Sequence, residues 1–262
     1  MTWNDLIEFA MPETSKFIKI KLQALCQDNQ EFGQFLSDIQ SLGKVAVVGG
    51  ILRDWILHQE YRDIDLTIDC DTDKLTRLIH ESYWEHEDNY FGGHKLSFGK
   101  LKVDIWALNK TWAFQHQTCQ PTFSNWLGTT FFNIDSIVYL VQDEQIIENG
   151  FLKAFGSKTL DVVFQDNPAP TLCVLKSILH KKKYGLEYSP TLTQYLTNWV
   201  GEPDSMKLKR LEGTYKIVFK QAFPKELLSF LPGNLGEKLL QAPEKPRAKR
   251  PPKLSSDELP PF

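Results

Sequence analysis

The stretch Val45–Ile68, VAVVGGILRDWILHQEYRDIDLTI, decides the fold, and the rest of the chain is arranged around it. Its apolar beginning predicts a buried strand. That strand ends at Gly49 and Gly50, because two glycines allow a tight turn and a close approach of the backbone to a ligand. A short helix follows with Arg53 in its first turns, so an anion at the glycines would meet amide N–H groups and a guanidinium. The sequence therefore predicts an anion-binding strand–turn–helix.

The end of the same stretch predicts a divalent-cation site. Residues 63–68 alternate with period two, so Asp63 and Asp65 share one face of a strand and apolar residues share the other. Two neighbouring carboxylates repel each other, and a bound cation neutralises them. Mg²⁺ accepts two carboxylates together with substrate phosphates, and Mn²⁺ is the expected substitute. An isolated DxD pattern is usually just a pair of solvated residues, but the glycine turn before this one favours the metal site.

The segment GGILRDWILHQEYRDIDLTID resembles the head-domain signature of the tRNA nucleotidyltransferase and poly(A) polymerase family, class II, the bacterial CCA-adding type. In that signature, GG-x-x-RD is followed by a short spacer and DxD. The resemblance implies an α+β fold: a polymerase-β-like nucleotidyltransferase head, built from a mixed sheet with flanking helices, then an all-helical neck and body. It also implies that Asp63 and Asp65 bind metal and that Gly49, Gly50 and Arg53 bind the nucleotide triphosphate.

A third carboxylate is expected at Asp104. The alternating runs HKLSF and LKVDIW, joined by Gly99 and Lys100, predict a β-hairpin, and residues 83–93 before it are expected to form a polar loop. The resemblance implies that Asp104 completes a catalytic, metal-binding set with the DxD pair and that two ions are bound. The alternative interpretation, that Asp104 is an edge-strand charge facing water, stays open at this stage.

Two later motifs of the family are altered in this sequence. The segment TTFFNIDSIVYL is similar to the family's RRDF-T-I-N-A-L-A-Y, but Thr129 and Thr130 stand where the family has two arginines. Near the base-reading arginines of the neck, this chain has Cys173 and Lys176. A thiol cannot replace the planar donors of a guanidinium. The choice of nucleotide therefore does not follow from the resemblance.

The chain is expected to divide into four segments. Residues 1–43 are predicted to form helices that pack on the head, because their apolar residues recur at spacings of three and four. Residues 44–150 form the head, which ends in a second hairpin over 137–148, and residues 151–240 the helical neck and body. Residues 241–262, rich in Pro, Lys and Arg, are predicted to be a disordered tail.

Charge limits the ways in which this chain can contact nucleic acid. Its 262 residues carry a net charge of −3, so contact with RNA must come from a local patch. Lys181, Lys182 and Lys183 form the strongest basic patch and are candidate RNA-binding residues, although cations in the last turn of a helix also stabilise its dipole. The basic tail is a candidate segment for weak binding of RNA or a protein partner, with a solvated terminus as the favoured alternative.

The sequence also indicates a compartment. Its four cysteines are scattered without a CxxC motif, which favours reduced thiols. It has no predicted leader and no apolar stretch long enough to span a membrane, so a cytoplasmic protein without a membrane partner is expected.

Together these features predict a Mg²⁺-dependent nucleotidyltransferase. It would move a nucleotidyl group from an NTP to a hydroxyl acceptor, with a tRNA-like RNA 3′ end as the favoured acceptor. Two alternatives stay open: an inactive relative that binds nucleotide or RNA, and a nucleotidyltransferase-like component of a toxin–antitoxin or phage-defence pair.

Overall fold

A computed structural model describes residues 11–89, 91–116, 119–202 and 204–243. The chain divides into two compact units, of which the first ends at Leu152 and the second begins at Lys153. The first ten residues of the predicted N-terminal helices lie outside the described residues, and so does the predicted tail from position 244 onward.

The first unit contains a mixed, seven-stranded sheet in the order β3-β4-β5-β2-β1-β6-β7. Its strands are β1 (Lys44–Val48), β2 (Ile64–Asp69), β3 (Glu85–Asp88), β4 (His94–Phe98), β5 (Leu101–Ala107), β6 (Ile137–Leu140) and β7 (Gln145–Glu148). The pair β2–β5 is parallel, and the other neighbouring pairs of this sheet are antiparallel. The predicted mixed sheet and both predicted hairpins are confirmed.

Among the described residues, the helices before β5 that pack on the sheet are α1 (Met11–Asp28), α2 (Gln30–Gln40), α3 (Gly50–Ile56) and α4 (Thr72–His80). Asn29 and Asp71 cap α2 and α4 by accepting hydrogen bonds from backbone N–H groups of the first turn. The buried face of α2 packs on the sheet, where the ring centroids of Phe35 and Phe98 lie 5.3 Å apart. Apolar alternation in the strands therefore meets helical amphipathicity on one face.

The opposite face of the sheet is covered only in part by short elements. These are the 3₁₀ turn Leu108–Lys110, α5 (Trp112–His116), α6 (Phe123–Trp126) and the 3₁₀ turn Leu127–Thr129. They bury Ala46 and Val48 of β1 and Val138 of β6 in a second apolar cluster. The predicted site residues lie beside this cluster, since Val48 is the register partner of Asp65.

The predicted loop over residues 83–93 is wrong in part. Glu85–Asp88 forms β3, which pairs antiparallel with β4 at the edge of the sheet. Its sequence EHED has no apolar alternation, so hydrophobic patterning could not reveal it. Only its backbone pairing makes it a strand, which is characteristic of a short, charged edge.

The second unit begins within α7 (Phe151–Gly156) and is largely helical. Its further helices are α8 (Pro170–Tyr184), α9 (Pro190–Val200), α10 (Ser205–Phe219), a 3₁₀ helix (Lys225–Phe230) and α11 (Leu235–Leu240). Two short strands, β8 (Thr159–Leu160) and β9 (Glu187–Tyr188), form a parallel pair that the helical periodicity did not predict. No helix in the described ranges has the length and apolar character needed to cross a membrane.

Candidate active site

The structure brings the three predicted carboxylates together on one face of the sheet. Asp65 of β2 and Asp104 of β5 are register partners in the parallel pair at the centre of the sheet. Adjacent strands lie about 4.8 Å apart, so these two side chains are direct neighbours. Asp63 directly precedes β2 and lies two residues from Asp65, on the same face by alternation. Asp104 is therefore a central residue, and the alternative of an edge charge facing water is wrong.

Burial gives this cluster a high electrostatic cost. Asp65 and Asp104 are only 6% and 8% exposed. Burial raises the pKa of Asp104 to about 6; Lys95 opposes this rise, the charge of Asp63 adds to it, and Arg62 opposes it. Lys95 is the register partner of Asp104 on β4, and Arg62 donates from Nε to Oδ2 of Asp63 at 2.9 Å. Two cations thus partly compensate three carboxylates.

The donor set fits a hard divalent cation. It consists of carboxylate oxygens alone, which suit Mg²⁺ and Mn²⁺ better than metals that prefer nitrogen or sulfur. Burial raises the pKa of Asp104, and a bound cation would offset this cost to its ionised form. Asp63, Asp65 and Asp104 are therefore the residues that would hold Mg²⁺.

The glycine turn lies next to the carboxylates because it follows Val48, the register partner of Asp65. Gly49 has φ 68° and ψ −131°, a conformation that side-chain-bearing residues avoid. Its N–H donates to the carbonyl oxygen of Ile137 at 3.1 Å. That amide is engaged, and the amides of Leu52 and Arg53 donate to the carbonyl oxygen of Gly49, so the amides of Gly50 and Ile51 are the donors left to face an anion.

Arg53 is buried beside this turn and contacts two carboxylates. Its Nε and Nη2 donate to Asp54 at 3.3 and 3.2 Å, and its Nη1 pairs with Asp135. A Cβ atom at Gly50 would lie 3.2 Å from Nη2, so the guanidinium packs against the glycine turn. The predicted position of Arg53 next to the turn agrees with this geometry, while its predicted contact with phosphate stays a prediction.

The threonines at the family's arginine positions donate hydrogen bonds from their hydroxyl groups to nearby backbone carbonyl oxygens. Thr129 donates from Oγ1 to the carbonyl oxygen of Trp126 at 2.7 Å, and Thr130 donates to that of Phe132 at 3.2 Å. Both hydroxyls stabilise the local turn. They supply no cation to the site.

The candidate RNA-binding lysines lie at the end of α8 in the second unit. Lys181 forms an ion pair with Glu187, and its Nζ lies 4.8 Å from the ring centroid of Tyr188. Lys183 lies over the ring of Tyr184 at 5.1 Å, and Lys182 is exposed. Local contacts therefore engage two of the three lysines.

Sequence reasoning missed three charged neighbours of the site: Arg62, Lys95 and Asp135. Lys95 had a readable signal, since pairing outward from the Gly99–Lys100 turn places it opposite Asp104. Asp135 had none, because its contact with Arg53 depends on how β6 returns beside β1.

Residues 45–124 match the sequence profile of the poly(A) polymerase head domain. The first unit has a poly(A) polymerase-like head. The profile covers the glycine turn and all three carboxylates. No curated protein matches the sequence significantly.

Solved structures of similar fold support this assignment. A tRNA nucleotidyltransferase complexed with a primer tRNA and an incoming ATP analog has a TM-score of 0.55 and 20% identity, covering 80% of this chain and 62% of that one. A CCA-adding enzyme with CTP has a TM-score of 0.55 and 17% identity, covering 75% and 50%. The Thermotoga maritima CCA-adding enzyme complexed with tRNA-CCA has a TM-score of 0.53 and 17% identity, again covering 75% and 50%. At such identities the likeness shows the fold, and the present chain spans about half the length of these two CCA-adding enzymes.

Proposed function

We propose that this chain is a Mg²⁺-dependent nucleotidyltransferase that moves a nucleotidyl group from an NTP to a hydroxyl acceptor. The observation that carries the proposal is the register of Asp65 opposite Asp104, with Asp63 beside them and the glycine turn next to them. The poly(A) polymerase head-domain match supports the same class of reaction.

In this reaction, the acceptor oxygen forms a bond to the α-phosphorus of the NTP. The bond from that phosphorus to the bridging oxygen breaks, pyrophosphate leaves, and the hydroxyl proton passes to solvent. Asp63, Asp65 and Asp104 would hold two Mg²⁺ ions. The ions would lower the pKa of the attacking hydroxyl and neutralise the charge of the triphosphate. Arg62 and Lys95 act as positioning residues, since each places a cation beside one of the carboxylates.

The glycine turn and Arg53 are proposed to bind the β and γ phosphates. The amides of Gly50 and Ile51 offer hydrogen-bond donors, and the guanidinium of Arg53, packed on Gly50, offers a charge. A phosphate at the turn would replace Asp135 on Nη1, while Asp54 keeps the guanidinium in place through Nε and Nη2. Asp54 is therefore a positioning residue in this proposal.

The proposed acceptor is an RNA 3′ end, with tRNA favoured because solved proteins of similar fold carry tRNA. Lys181, Lys182 and Lys183 are the proposed RNA contacts; Lys182 and Lys183 are exposed, and Lys181 is half-buried. A protein partner that binds through the C-terminal tail remains a proposal about residues outside the described part of the chain.

A second candidate function is nucleotide or RNA binding without turnover. It is favoured by the engagement of Arg53 with two carboxylates and by the threonines that replace two arginines. The buried carboxylates argue for the first candidate, because binding alone does not require three acidic residues at one point.

The two candidates are distinguished by incubating the protein with each α-labelled NTP, Mg²⁺ and total RNA or tRNA lacking its 3′ end. A transferase incorporates label into RNA, and Asp65→Asn abolishes incorporation. Asp69→Asn, an exposed carboxylate at the end of the same strand, serves as the matched control and keeps activity. Thermal stabilisation by NTP and Mg²⁺ without incorporation selects the binding candidate. Absence of both effects would refute both.

A further inference from the structure

A second cluster of metal-binding side chains lies on the other face of the sheet. His80 at the end of α4, Asp88 at the end of β3 and His94 at the start of β4 place their ligand atoms within 4.8 Å of one another. Because His94 directly precedes Lys95, it points away from the face that carries Asp104. The cluster is therefore distinct from the three catalytic carboxylates.

Both histidines converge on the same carboxylate oxygen. Nδ1 of His94 lies 2.7 Å from Oδ1 of Asp88, and Nε2 of His80 lies 3.1 Å from the same atom. Nε2 of His94 lies 3.2 Å from the hydroxyl oxygen of Thr76. A neutral imidazole has one N–H and one lone pair, so an Nε2–H that donates to Thr76 turns the Nδ1 lone pair toward Asp88. In that tautomer a shared cation, a proton or a metal ion, would join the two atoms, whereas in the other tautomer Nδ1–H donates to Asp88 and the hydroxyl of Thr76 donates to Nε2.

Neighbouring groups hold the imidazole rings of the cluster in place. The ring of His94 is buried, and its two nitrogens lie against Asp88 and Thr76. His86 stacks on His80 with ring centroids 5.0 Å apart, and its Nδ1 donates to the carbonyl oxygen of Trp84 at 3.0 Å. That carbonyl can only accept, so the tautomer of His86 is fixed and its ring supports the ring of His80.

We propose that His80, Asp88 and His94 bind a late first-row transition-metal ion of the Zn²⁺ type. Two imidazole nitrogens and a carboxylate oxygen suit Zn²⁺, whereas Mg²⁺ prefers oxygen ligands alone. Three protein ligands leave one position of a tetrahedral ion for water. Thr76 is a positioning residue, because its hydroxyl orients the ring of His94.

Such an ion would stabilise the edge of the sheet by linking β3 to its neighbours. β3 has the sequence EHED and contributes no apolar side chain to the core, so its apolar anchor is Trp84, which directly precedes the strand. A metal ion bound by one residue each from α4, β3 and β4 would join the edge strand to its neighbours. The proposal thus gives a physical reason for an edge strand that the sequence pattern does not predict.

The experiment is a Zn²⁺ titration of the full chain after removal of metals with EDTA. The titration uses a variant that carries both Asp65→Asn and Asp104→Asn. These two changes prevent Zn²⁺ from binding at the carboxylate cluster of the proposed active site. We expect one equivalent of Zn²⁺ in this background and none after a further His80→Ala or Asp88→Asn change. The side chains of His80 and Asp88 are 44% and 56% exposed, so these changes avoid the buried position of His94.

Two further variants sharpen the test. Thr76→Val keeps all three ligands and should weaken Zn²⁺ binding by roughly 10- to 100-fold, the range for loss of a ligand's orienting partner. His116→Ala removes an exposed histidine elsewhere and should leave binding unchanged. Zn²⁺ binding that persists in both ligand variants would overturn the proposal. So would its absence in the double-Asn background, which would mean that hydrogen bonds alone hold the cluster together.

Discussion

Replacing Asp104 with Asn should stabilise the metal-free protein at neutral pH. Asp104 lies directly beside Asp65 on the central parallel pair, and burial disfavours its charge. Asparagine has nearly the same shape without the charge. If Asp104 is a metal ligand placed at a cost to the fold, its removal should raise the free energy of unfolding and abolish function.

The magnitude follows from the pKa of Asp104. A rise from 3.8 to about 6 corresponds to about 3 kcal/mol. Because the pKa is raised in the folded state, this cost is absent below pH 3.8, where both states are protonated. It grows as the pH rises and is complete above pH 6. Asp104→Asn should therefore gain up to about 3 kcal/mol at pH 7.5 and almost nothing at pH 3.5.

The assay is urea unfolding in EDTA at both pH values, followed by tryptophan fluorescence, with Asp69→Asn as the exposed control. A second series with Mg²⁺ should stabilise the wild type by about 2.7 kcal/mol when the ion is at a hundred times its dissociation constant, and Asp104→Asn by less. An Asp104→Asn protein that is no more stable than wild type at pH 7.5 would refute the reasoning. An equal gain at both pH values would also refute it, since the gain would then not come from ionisation.

Three further predictions concern the nucleotide side of the site. Arg53→Ala should lower the free energy of unfolding by about 3–5 kcal/mol, because two carboxylates lose their shared cation. In urea unfolding, adding Asp135→Asn to this variant should recover part of the lost stability. Gly49→Ala should cost about 1–3 kcal/mol because φ is 68°, while Gly128→Ala, which meets no atom within 4 Å, should change stability by less than about 0.5 kcal/mol. If the protein is active, it should add bases to tRNA lacking its 3′ end with relaxed choice when all four NTPs are present, since the base-reading arginines are missing. Sequencing of the products tests this, and a uniform addition of C, C and A would contradict it.

Local patterns predicted most of the head. The glycine turn, the DxD alternation and both hairpins follow from turn chemistry and the two-residue period of strands. The neighbours of Asp104 on β4 were also readable, because a two-residue turn at Gly99 and Lys100 fixes the register of the hairpin and places Lys95 opposite Asp104. In this part of the chain, local sequence patterns are sufficient to predict the turn and the register of the strands.

Contacts between distant segments could not be predicted in the same way. The register of Asp65 opposite Asp104 depends on a parallel pairing across a long connection, and no local rule sets that alignment. The contact between Arg53 and Asp135 depends on the return of β6 beside β1. The edge strand β3 is held by backbone hydrogen bonds and polar side chains, so its sequence pattern resembles that of a loop.

The carboxylates of the proposed site lower the stability of the fold, whereas the threonines at the family's arginine positions do not. Placing Asp65 and Asp104 side by side in the sheet is unfavourable without a cation, and an apolar residue such as Val48 fills the next position of the same row at no such cost. By contrast, Thr129 and Thr130 stand at the family's arginine positions with their hydroxyls satisfied by nearby carbonyls, so nothing in the fold requires arginines there. A fold that served only as a scaffold would gain stability by losing the acidic pair. The arrangement therefore supports the proposal of a metal-dependent transferase whose nucleotide choice depends on residues other than these two threonines.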